Sequence, residues 1–209
     1  MAFDLEEQEK LDEAKAWWKA NGNKVIWGVT LFLAAVAGWR AWDTWNRNQM
    51  AEASMAFDQA VQAMAMNDSK QAKDAAARIM ENHGRTGYAA PAAWLAGRIS
   101  YEAQDMKSAL AQYEYALEHA KDEGTAQLAR LRLAALKFEA QDLAGALALL
   151  NEPFKPAFEG LAAQLKGDVL LAQGKSDDAR AAYKLAVEKL GDKSSLKPLV
   201  EMRLDALGG

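Results

Sequence analysis

The chain has 209 residues, a formal net charge of −4 and no cysteine. The negative charge gives a nucleic-acid role no electrostatic support, so we expect no nucleic-acid partner. The absence of cysteine excludes disulfides, thiolate zinc sites and cysteine nucleophiles, and it is compatible with an oxidising periplasm. The two histidines, His83 and His119, do not have metal-ligand spacing on one helix. We therefore expect neither a metal site nor a cofactor.

An uncharged apolar run occupies residues 25–39, between Lys24 and Arg40. At 1.5 Å per residue it makes only about 22 Å of helix, whereas a bilayer core needs about 30 Å. The flanks extend the apolar surface to residues 21–42, roughly 30 Å of helix, because Arg40 can snorkel from near a helix end. We therefore predict a transmembrane helix over residues 24–42.

Six of the seven tryptophans lie within or beside this run, which fits the preference of indole rings for membrane interfaces. Three other interpretations compete with a span: a buried helix of a soluble core, an interfacial helix, and a signal peptide cleaved after Ala37. The acid-rich segment before the run, and the apolar residues that continue past Ala37, favour an uncleaved anchor. The residues expected to anchor the span or to lie at its interfaces are Trp17, Trp18, Lys24, Trp27, Gly38, Trp39, Arg40 and Trp42.

The basic residues on the two sides of the span predict its orientation. Four lysines, the last of them Lys24, lie on the N-terminal side of the apolar run 25–39, whereas two arginines, Arg40 and Arg47, follow the run. Residues 1–23 are therefore expected to form a short cytoplasmic N-terminus. Residues 43–49 are expected to be a juxtamembrane linker, and residues 50–209 a periplasmic domain.

The remainder of the chain has a helical composition and repeats itself. The segment 101–106 recurs 37 positions later as 138–143, and a third copy begins near Leu171. Such a spacing is typical of helical-hairpin solenoids. Polar residues or glycine predict tight turns inside the hairpins, at 67–68, 104–105, 141–142 and 174–175. We expect about four hairpins and a capping helix over residues 195–207.

These hairpins resemble the tetratricopeptide repeat, in which small and aromatic residues recur at fixed offsets. The fit is incomplete, since Gln104 replaces the turn glycine of one unit and Leu150 the aromatic residue of another. The resemblance implies an all-α fold, with one N-terminal transmembrane helix followed by a tetratricopeptide-like solenoid. It assigns repeat packing to Gly97, Ala109, Tyr113, Ala146, Gly167, Gly174, Ala179 and Tyr183.

The sequence contains no catalytic elbow, no phosphate-binding glycine loop and no metal-binding motif. Its carboxylates are scattered, and many lie near a lysine or an arginine at helical spacing, as Asp178 does with Arg180. This pattern is typical of solvated helical faces. We therefore expect that the protein is not an enzyme.

Binding is the alternative to catalysis, and the candidate surface is formed by two rows of residues that share one face of the first helices of successive hairpins. The same rows also fit an inter-repeat core, and the pattern favours that interpretation. On a concave surface, their apolar and aromatic character would suit a helix or an unfolded chain better than a C-terminal carboxylate. The candidate partner-facing or client-facing residues are Trp94, Arg98, Tyr101 and Phe138.

The order of these parts resembles the ancillary SecYEG translocon subunit family, on the segments 17–22 and 38–42 with the repeats behind them. The resemblance covers almost the whole chain. It implies a single-pass bacterial inner-membrane protein beside the SecYEG translocon, with a PpiD-like periplasmic chaperone as a partner. The implied task is to help pass exported polypeptides to periplasmic chaperones. The alternative is an exported soluble or anchored repeat protein that acts as an envelope or cell-division assembly adaptor.

Overall fold

The computed structural model describes the backbone of residues 2–208, and the side chains of that range apart from residues 2–6 and Gln8. All regular structure in this range is α-helical, so the predicted all-α class is confirmed. The helices are α1 (Ala2–Ala65), α2 (Ser69–Asn82), α3 (Ala89–Glu102), α4 (Met106–His119), α5 (Glu123–Glu139), α6 (Leu143–Asn151), α7 (Pro156–Ala172), α8 (Ser176–Lys189) and α9 (Lys197–Ala206).

The described chain divides into two compact units, one that ends at Gln49 and one that begins at Met50. In the first unit, α1 is helical through residues 43–49, the stretch expected to be a linker. An ion pair of 2.9 Å between Arg47 and Asp43, one helical turn apart, supports the helix there. Residues 43–49 also contain no glycine or proline that would interrupt it.

The apolar segment of α1 is exposed within the described chain. The stretch Glu9–Ala65 contains an 18-residue window with a mean hydropathy of 1.4, and none of that window is buried. Phe32 is 67% exposed and Trp39 is 71% exposed. A helix of a soluble domain buries its apolar stripe against a core. The length, composition and exposure of this segment therefore fit a transmembrane helix.

In the second unit, the helices pair as consecutive hairpins. The part of α1 that follows Met50 pairs with α2, through clusters that include Ala60 with Ala72 and Ala53 with Ala76. The next pairs are α3 with α4, α5 with α6, and α7 with α8. Helix α9 packs on α8 inside the predicted capping segment. Four hairpins and a capping helix are thus confirmed.

Alanine dominates the core of this unit because its helices approach one another closely. The few large side chains that are almost fully buried, such as Ile79, Val169 and Val200, fill the space between layers of small residues. The alanines with no exposed surface are Ala53, Ala60, Ala72, Ala75, Ala76, Ala89, Ala92, Ala93, Ala96, Ala109, Ala116, Ala129, Ala134, Ala146, Ala179 and Ala186.

The turns inside the hairpins fall where the sequence predicts them. Each has one residue in the left-handed region: φ is 58° at Asn67, 60° at Gln104, 64° at Gln141 and 76° at Gly174. In the first three hairpins an aspartate follows, and its carboxylate accepts a hydrogen bond from the third backbone amide beyond it. A left-handed residue and an aspartate N-cap therefore connect the two helices of these hairpins.

Replacing Gly174 with alanine is expected to lower the free energy of unfolding by about 1 kcal/mol, because a side chain destabilises the left-handed backbone there. Gly174→Asn is the matched control, since asparagine tolerates this conformation and occupies it at Asn67. We expect Gly174→Asn to lower the free energy of unfolding by less than half as much as Gly174→Ala does. Chemical denaturation of the full chain in detergent measures both values. Equal losses would contradict the conformational explanation.

The third hairpin departs from the others because its second helix is short. Helix α6 has 9 residues, whereas α4 and α8 have 14 each.

Side chains of α5 hold the connection that follows α6. The buried Gln127 accepts a hydrogen bond of 2.8 Å from the Lys155 amide, and Arg130 stacks 3.9 Å from the ring centroid of Phe154. Arg130 also donates to the Pro153 carbonyl, so α5 fixes the path of the chain into α7.

Candidate functional site

A cleft of about 320 Å³ lies between α3 and α5, the first helices of two successive hairpins. The first helices of such hairpins line the concave surface of a repeat solenoid, which is where these proteins bind partners. The lining residues are Trp94, Arg98, Tyr101, Glu102, Tyr113, Arg132, Ala135, Leu136 and Glu139.

The floor of the cleft is an aromatic pair that a glycine makes possible. Tyr113 comes from α4 and is 3% exposed, and its ring lies against Gly97 of α3. A Cβ on Gly97 would lie only 3.0 Å from Tyr113 Cε2. Trp94 packs edge-on against the same tyrosine, with ring centroids 6.5 Å apart. The absence of a side chain at Gly97 thus lets the ring reach the floor of the cleft.

Two polar pairs occupy the rim. Arg98 Nε donates a hydrogen bond of 2.8 Å to Glu102 Oε1, and this bond raises the pKa of the guanidinium. The Tyr101 hydroxyl donates to Glu139 Oε1 over 3.1 Å, which links α3 to α5 across the cleft and raises the pKa of the phenol. Only the second pair connects the two helices, because Arg98 and Glu102 both belong to α3.

The structure therefore brings together three of the four candidate binding residues, namely Trp94, Arg98 and Tyr101. Phe138 does not line the cleft. It packs instead on the cluster formed with α6 and α7, which contains Leu150 and Val169. Phe138 therefore belongs to the apolar contact between neighbouring repeats rather than to the cleft.

Sequence reasoning missed the acidic and basic lining residues contributed by α5. Glu139 lies 37 positions after Glu102, which is the offset of the repeated segments, so aligning the repeats would have identified it. Arg132 gives no comparable signal, because the position 37 residues before it is Leu95, a core residue of α3. Only the packing of α5 beside α3 places Arg132 in the cleft.

The residues assigned to repeat packing lie at helix contacts or turns. Ala109, Ala146 and Ala179 are fully buried in the second helices of their hairpins. Gly167 lies against the ring of Tyr183, and Gly174 forms the last turn. The pairs Gly97 with Tyr113 and Gly167 with Tyr183 share one geometry, in which a glycine of the first helix receives a tyrosine of the second.

A second polar cluster attaches the capping helix to the last hairpin. Asp168 of α7 accepts a hydrogen bond of 2.7 Å from the buried Tyr183 hydroxyl, and others from Arg203 of α9 and Gln164. Burial raises the pKa of Tyr183, and the bond to Asp168 raises it further. The expectation that the carboxylates occupy solvated faces is wrong for Asp168, whose side chain is only 16% exposed. This carboxylate is a partly buried acceptor shared by three donors rather than a fully solvated surface charge.

The expected membrane anchor residues all lie on α1 and are exposed, from Trp17 to Trp42. Within the first unit, the indole of Trp18 covers Gly22, where a Cβ would lie 3.0 Å from the ring. Gly38 has open space around it. The segment thus presents aromatic rings at both ends of its apolar stretch, as an anchored helix does at the two interfaces.

The two histidines occupy different environments. His119 stacks on Tyr115 with ring centroids 3.8 Å apart, and its Nδ1 lies 3.0 Å from the Tyr115 carbonyl oxygen. His83 Nε2 lies 3.9 Å from a Glu52 carboxylate oxygen. Among the side chains that the structure describes, no three metal-binding groups come together as a site.

Known proteins place this architecture in a family. The profile of the tetratricopeptide repeat-like domain family matches residues 15–209. A tetratricopeptide repeat protein of Parabacteroides merdae shares the fold with a TM-score of 0.62 at 17% identity, over 76% of this chain and 61% of that one.

Three similar proteins are named ancillary SecYEG translocon subunits, and they match nearly the whole length. The Haemophilus influenzae protein is 31% identical over 89% of this chain and 91% of its own length. The Neisseria gonorrhoeae protein is 30% identical over 99% of this chain and 100% of its own. The Escherichia coli protein is 25% identical over 96% of each. The match includes the apolar segment as well as the hairpins, and the chain belongs to the ancillary SecYEG translocon subunit family.

Proposed function

We propose that this protein is a membrane-anchored, non-catalytic scaffold that associates with the SecYEG translocon. Its repeat domain lies in the periplasm and helps to pass exported polypeptides to a PpiD-like periplasmic chaperone. The observation that carries the proposal is the near full-length match to proteins named ancillary SecYEG translocon subunits, which extends across the apolar helix. The cleft between α3 and α5 supports the proposal, because it offers a groove of about 320 Å³ between two first helices.

The composition of the cleft supports a binding role. Its lining offers aromatic faces, paired charges and a hydroxyl already bonded to a carboxylate. These groups suit contact with a polypeptide, in which aromatic and arginine side chains supply much of the binding energy. The excess of lysines before the apolar segment supports a cytoplasmic N-terminus and a periplasmic repeat domain.

The apolar segment has two different faces. Within residues 29–41, at 100° per residue, one side of α1 carries Thr30, Ala34, Ala37, Gly38 and Ala41, and the opposite side carries Val29, Phe32, Val36 and Trp39. Small residues let helices approach closely in a membrane, where packing and lipid entropy drive association. The small-residue face is therefore the side on which we expect translocon helices to pack.

A photo-crosslinking residue at Ala34 is expected to capture SecYEG subunits in membranes that contain the translocon. The matched position is Phe32, which lies at a similar depth on the opposite face and should capture them several-fold less efficiently. A third probe at Tyr101, an exposed residue of the cleft, should capture an arrested exported chain or the chaperone. Mass spectrometry of the adducts identifies the partners.

Two outcomes would contradict the proposal in different ways. If neither position in the span captures a translocon subunit, the association with SecYEG is wrong. If the span captures the translocon but Tyr101 captures only envelope or division proteins, the handover role is wrong and the adaptor alternative replaces it. Resistance of the full chain to carbonate extraction serves as the control that it is inserted.

A further inference from the structure

A groove of about 400 Å³ lies between α7 and α8, the two helices of the fourth hairpin. We propose that this groove binds an amphipathic α-helix of a partner protein, in the place that α2 occupies against α3 and α4. The groove is separate from the cleft between α3 and α5, so the inference goes beyond the proposed function. Its walls are formed by Ala163 and Leu170 of α7 and by Ala182 and Leu185 of α8.

In the second hairpin, the corresponding position is covered by a helix. The second and fourth hairpins correspond residue by residue at an offset of 70, since their left-handed turns lie at Gln104 and Gly174. Leu185 then corresponds to Tyr115. The Tyr115 hydroxyl donates a hydrogen bond of 3.0 Å to the Met80 carbonyl of α2. The side chain at this position of the second hairpin therefore contacts the second helix of the hairpin before it.

Helix α2 also covers the α3 side of that position. Ala93, the counterpart of the groove residue Ala163, belongs to a core cluster on which Met80 packs. The next turn of α3 brings Ala96 into the same cluster as Ile79 of α2. A helix thus lies over the contact between α3 and α4 at the place where the fourth hairpin has an open groove.

The third hairpin does not supply an equivalent cover, because α6 ends too early. An offset of 74, taken from the left-handed turns of the first and third hairpins, makes Phe154 the counterpart of Met80. Phe154 lies beyond the end of α6 and stacks with Arg130 of α5 instead. Leu185 is consequently 44% exposed. Leu147 of α6 still packs on the cluster behind the groove, so an incoming helix would continue the layer that α6 begins.

The groove is apolar although it is open, and the first hairpin shows that an open face of this fold can be polar. At the offset of 107 between the first and last left-handed turns, Ala181 and Leu185 correspond to Asp74 and Arg78 of α2. Asp74 and Arg78 are exposed, as expected at the end of a repeat array, whose outer face is solvated. Alanine and leucine at the same positions of α8 indicate a surface that a partner covers.

A helix suits this groove better than an extended segment. The aliphatic walls offer an extended backbone no hydrogen-bond partners, whereas a helix pairs its own amides and carbonyls. Lys166 and Asp178 also line the groove, one on each helix, and neither forms an ion pair with a residue that the structure describes. The partner helix should therefore carry a row of apolar residues, with an acidic residue beside Lys166 and a basic one beside Asp178.

The test is a binding measurement with the full chain in bilayer discs. Since the chain has no cysteine, Ala181→Cys provides a single site beside the groove for an environment-sensitive dye. The probe is a stapled helical peptide of 14 residues, the length of α2, with leucines at i, i+3, i+4 and i+7. One control peptide spreads the same leucines around the helix, and another contains two prolines that prevent helix formation. The probe should shift the dye emission at a concentration roughly tenfold lower than either control does.

Variants assign the binding to the groove. Leu185→Arg places a charge between the two helices, so it should weaken binding of the probe about tenfold. Leu171→Arg is the matched control, because Leu171 is 40% exposed and does not line the groove. A glutamate beside the leucine row should strengthen binding a few-fold, and Lys166→Gln should remove that gain. A melting curve for each variant confirms that it is folded.

Several results would overturn the inference. Equal binding of the stapled and proline-containing peptides would show that the groove takes an extended chain. An unchanged dye signal with the stapled peptide, or unchanged binding in Leu185→Arg, would show that the groove is not the site. Self-association of the full chain in detergent that Leu185→Arg abolishes would identify a second copy as the occupant. These measurements use neither the translocon nor the cleft between α3 and α5, so they can fail while the proposed function holds, and the reverse.

Discussion

Replacing Gly167 with alanine is expected to lower the free energy of unfolding of the repeat domain by about 2 to 3 kcal/mol. A Cβ at this position would lie 2.5 Å from Cδ1 and Cε1 of Tyr183, well inside van der Waals contact. The Tyr183 ring has no exposed surface, and its hydroxyl bonds to Asp168, so the ring cannot move aside without breaking other contacts. Thermal or chemical unfolding of the full chain measures the loss.

Two alanine variants calibrate this effect. Gly97→Ala places a Cβ 3.0 Å from the Tyr113 ring, a milder overlap that should cost less than Gly167→Ala. Gly191→Ala meets nothing within 4 Å and should leave the stability nearly unchanged.

Combining Gly167→Ala with Tyr183→Leu should lower the free energy of unfolding by less than the sum of the two single changes, because the smaller side chain at position 183 makes room for the new Cβ. If the two losses of unfolding free energy simply add, the contact with the Tyr183 ring is not what destabilises Gly167→Ala.

The turns and the helix order were predictable from the sequence because their signals are local. Gln104 and Gln141 occupy the same place in two copies of one repeated segment, and both adopt the left-handed conformation that ends a helix. The aspartate after each of them caps the next helix through its own backbone neighbours. Signals of this kind depend on residues a few positions apart, so a single sequence contains them.

The cleft was predictable only in part, because helical periodicity does not distinguish a groove from the contact between hairpins. Tyr101 and Phe138 occupy equivalent positions, 37 residues apart. Tyr101 is 41% exposed beside the cleft, whereas Phe138 packs on residues of α7 that include Val169. The difference depends on which helix packs next, and that information is not local.

The polar residues with the most consequential contacts were not predictable. Asp168 and Arg132 are two of many charged residues at helical spacing, and nothing near them in sequence distinguishes them. Asp168 is largely shielded from solvent because Tyr183 and Arg203 reach it from two other helices. Arg132 is exposed and forms no ion pair with any carboxylate that the structure describes, whereas Glu102 bonds to Arg98 and Glu139 accepts from Tyr101. Both properties arise from tertiary packing.

Replacing Asp168 with alanine is expected to lower the free energy of unfolding by roughly 2 to 3 kcal/mol, because it removes an acceptor shared by three donors. The Tyr183 hydroxyl is then buried without a partner, and the Arg203 guanidinium, 35% exposed, loses its counter-charge. The control is Asp192→Ala. Asp192 also pairs with a cation, Lys197 at 2.7 Å, but it is 95% exposed, so its loss should not change the stability measurably.

The loss should be concentrated in the capping helix. Helix α9 is held by the buried Val200, by Arg203 on Asp168, and by Arg180 of α8, which donates to the Leu207 carbonyl. Removing Asp168 leaves only two of these contacts, so the amides of α9 should exchange with solvent faster than those of α3 and α4. Hydrogen exchange followed by mass spectrometry compares the segments directly. Unchanged exchange in α9 would show that Val200 and Arg180 suffice to hold the cap, and that the effect of Asp168 is confined to Tyr183.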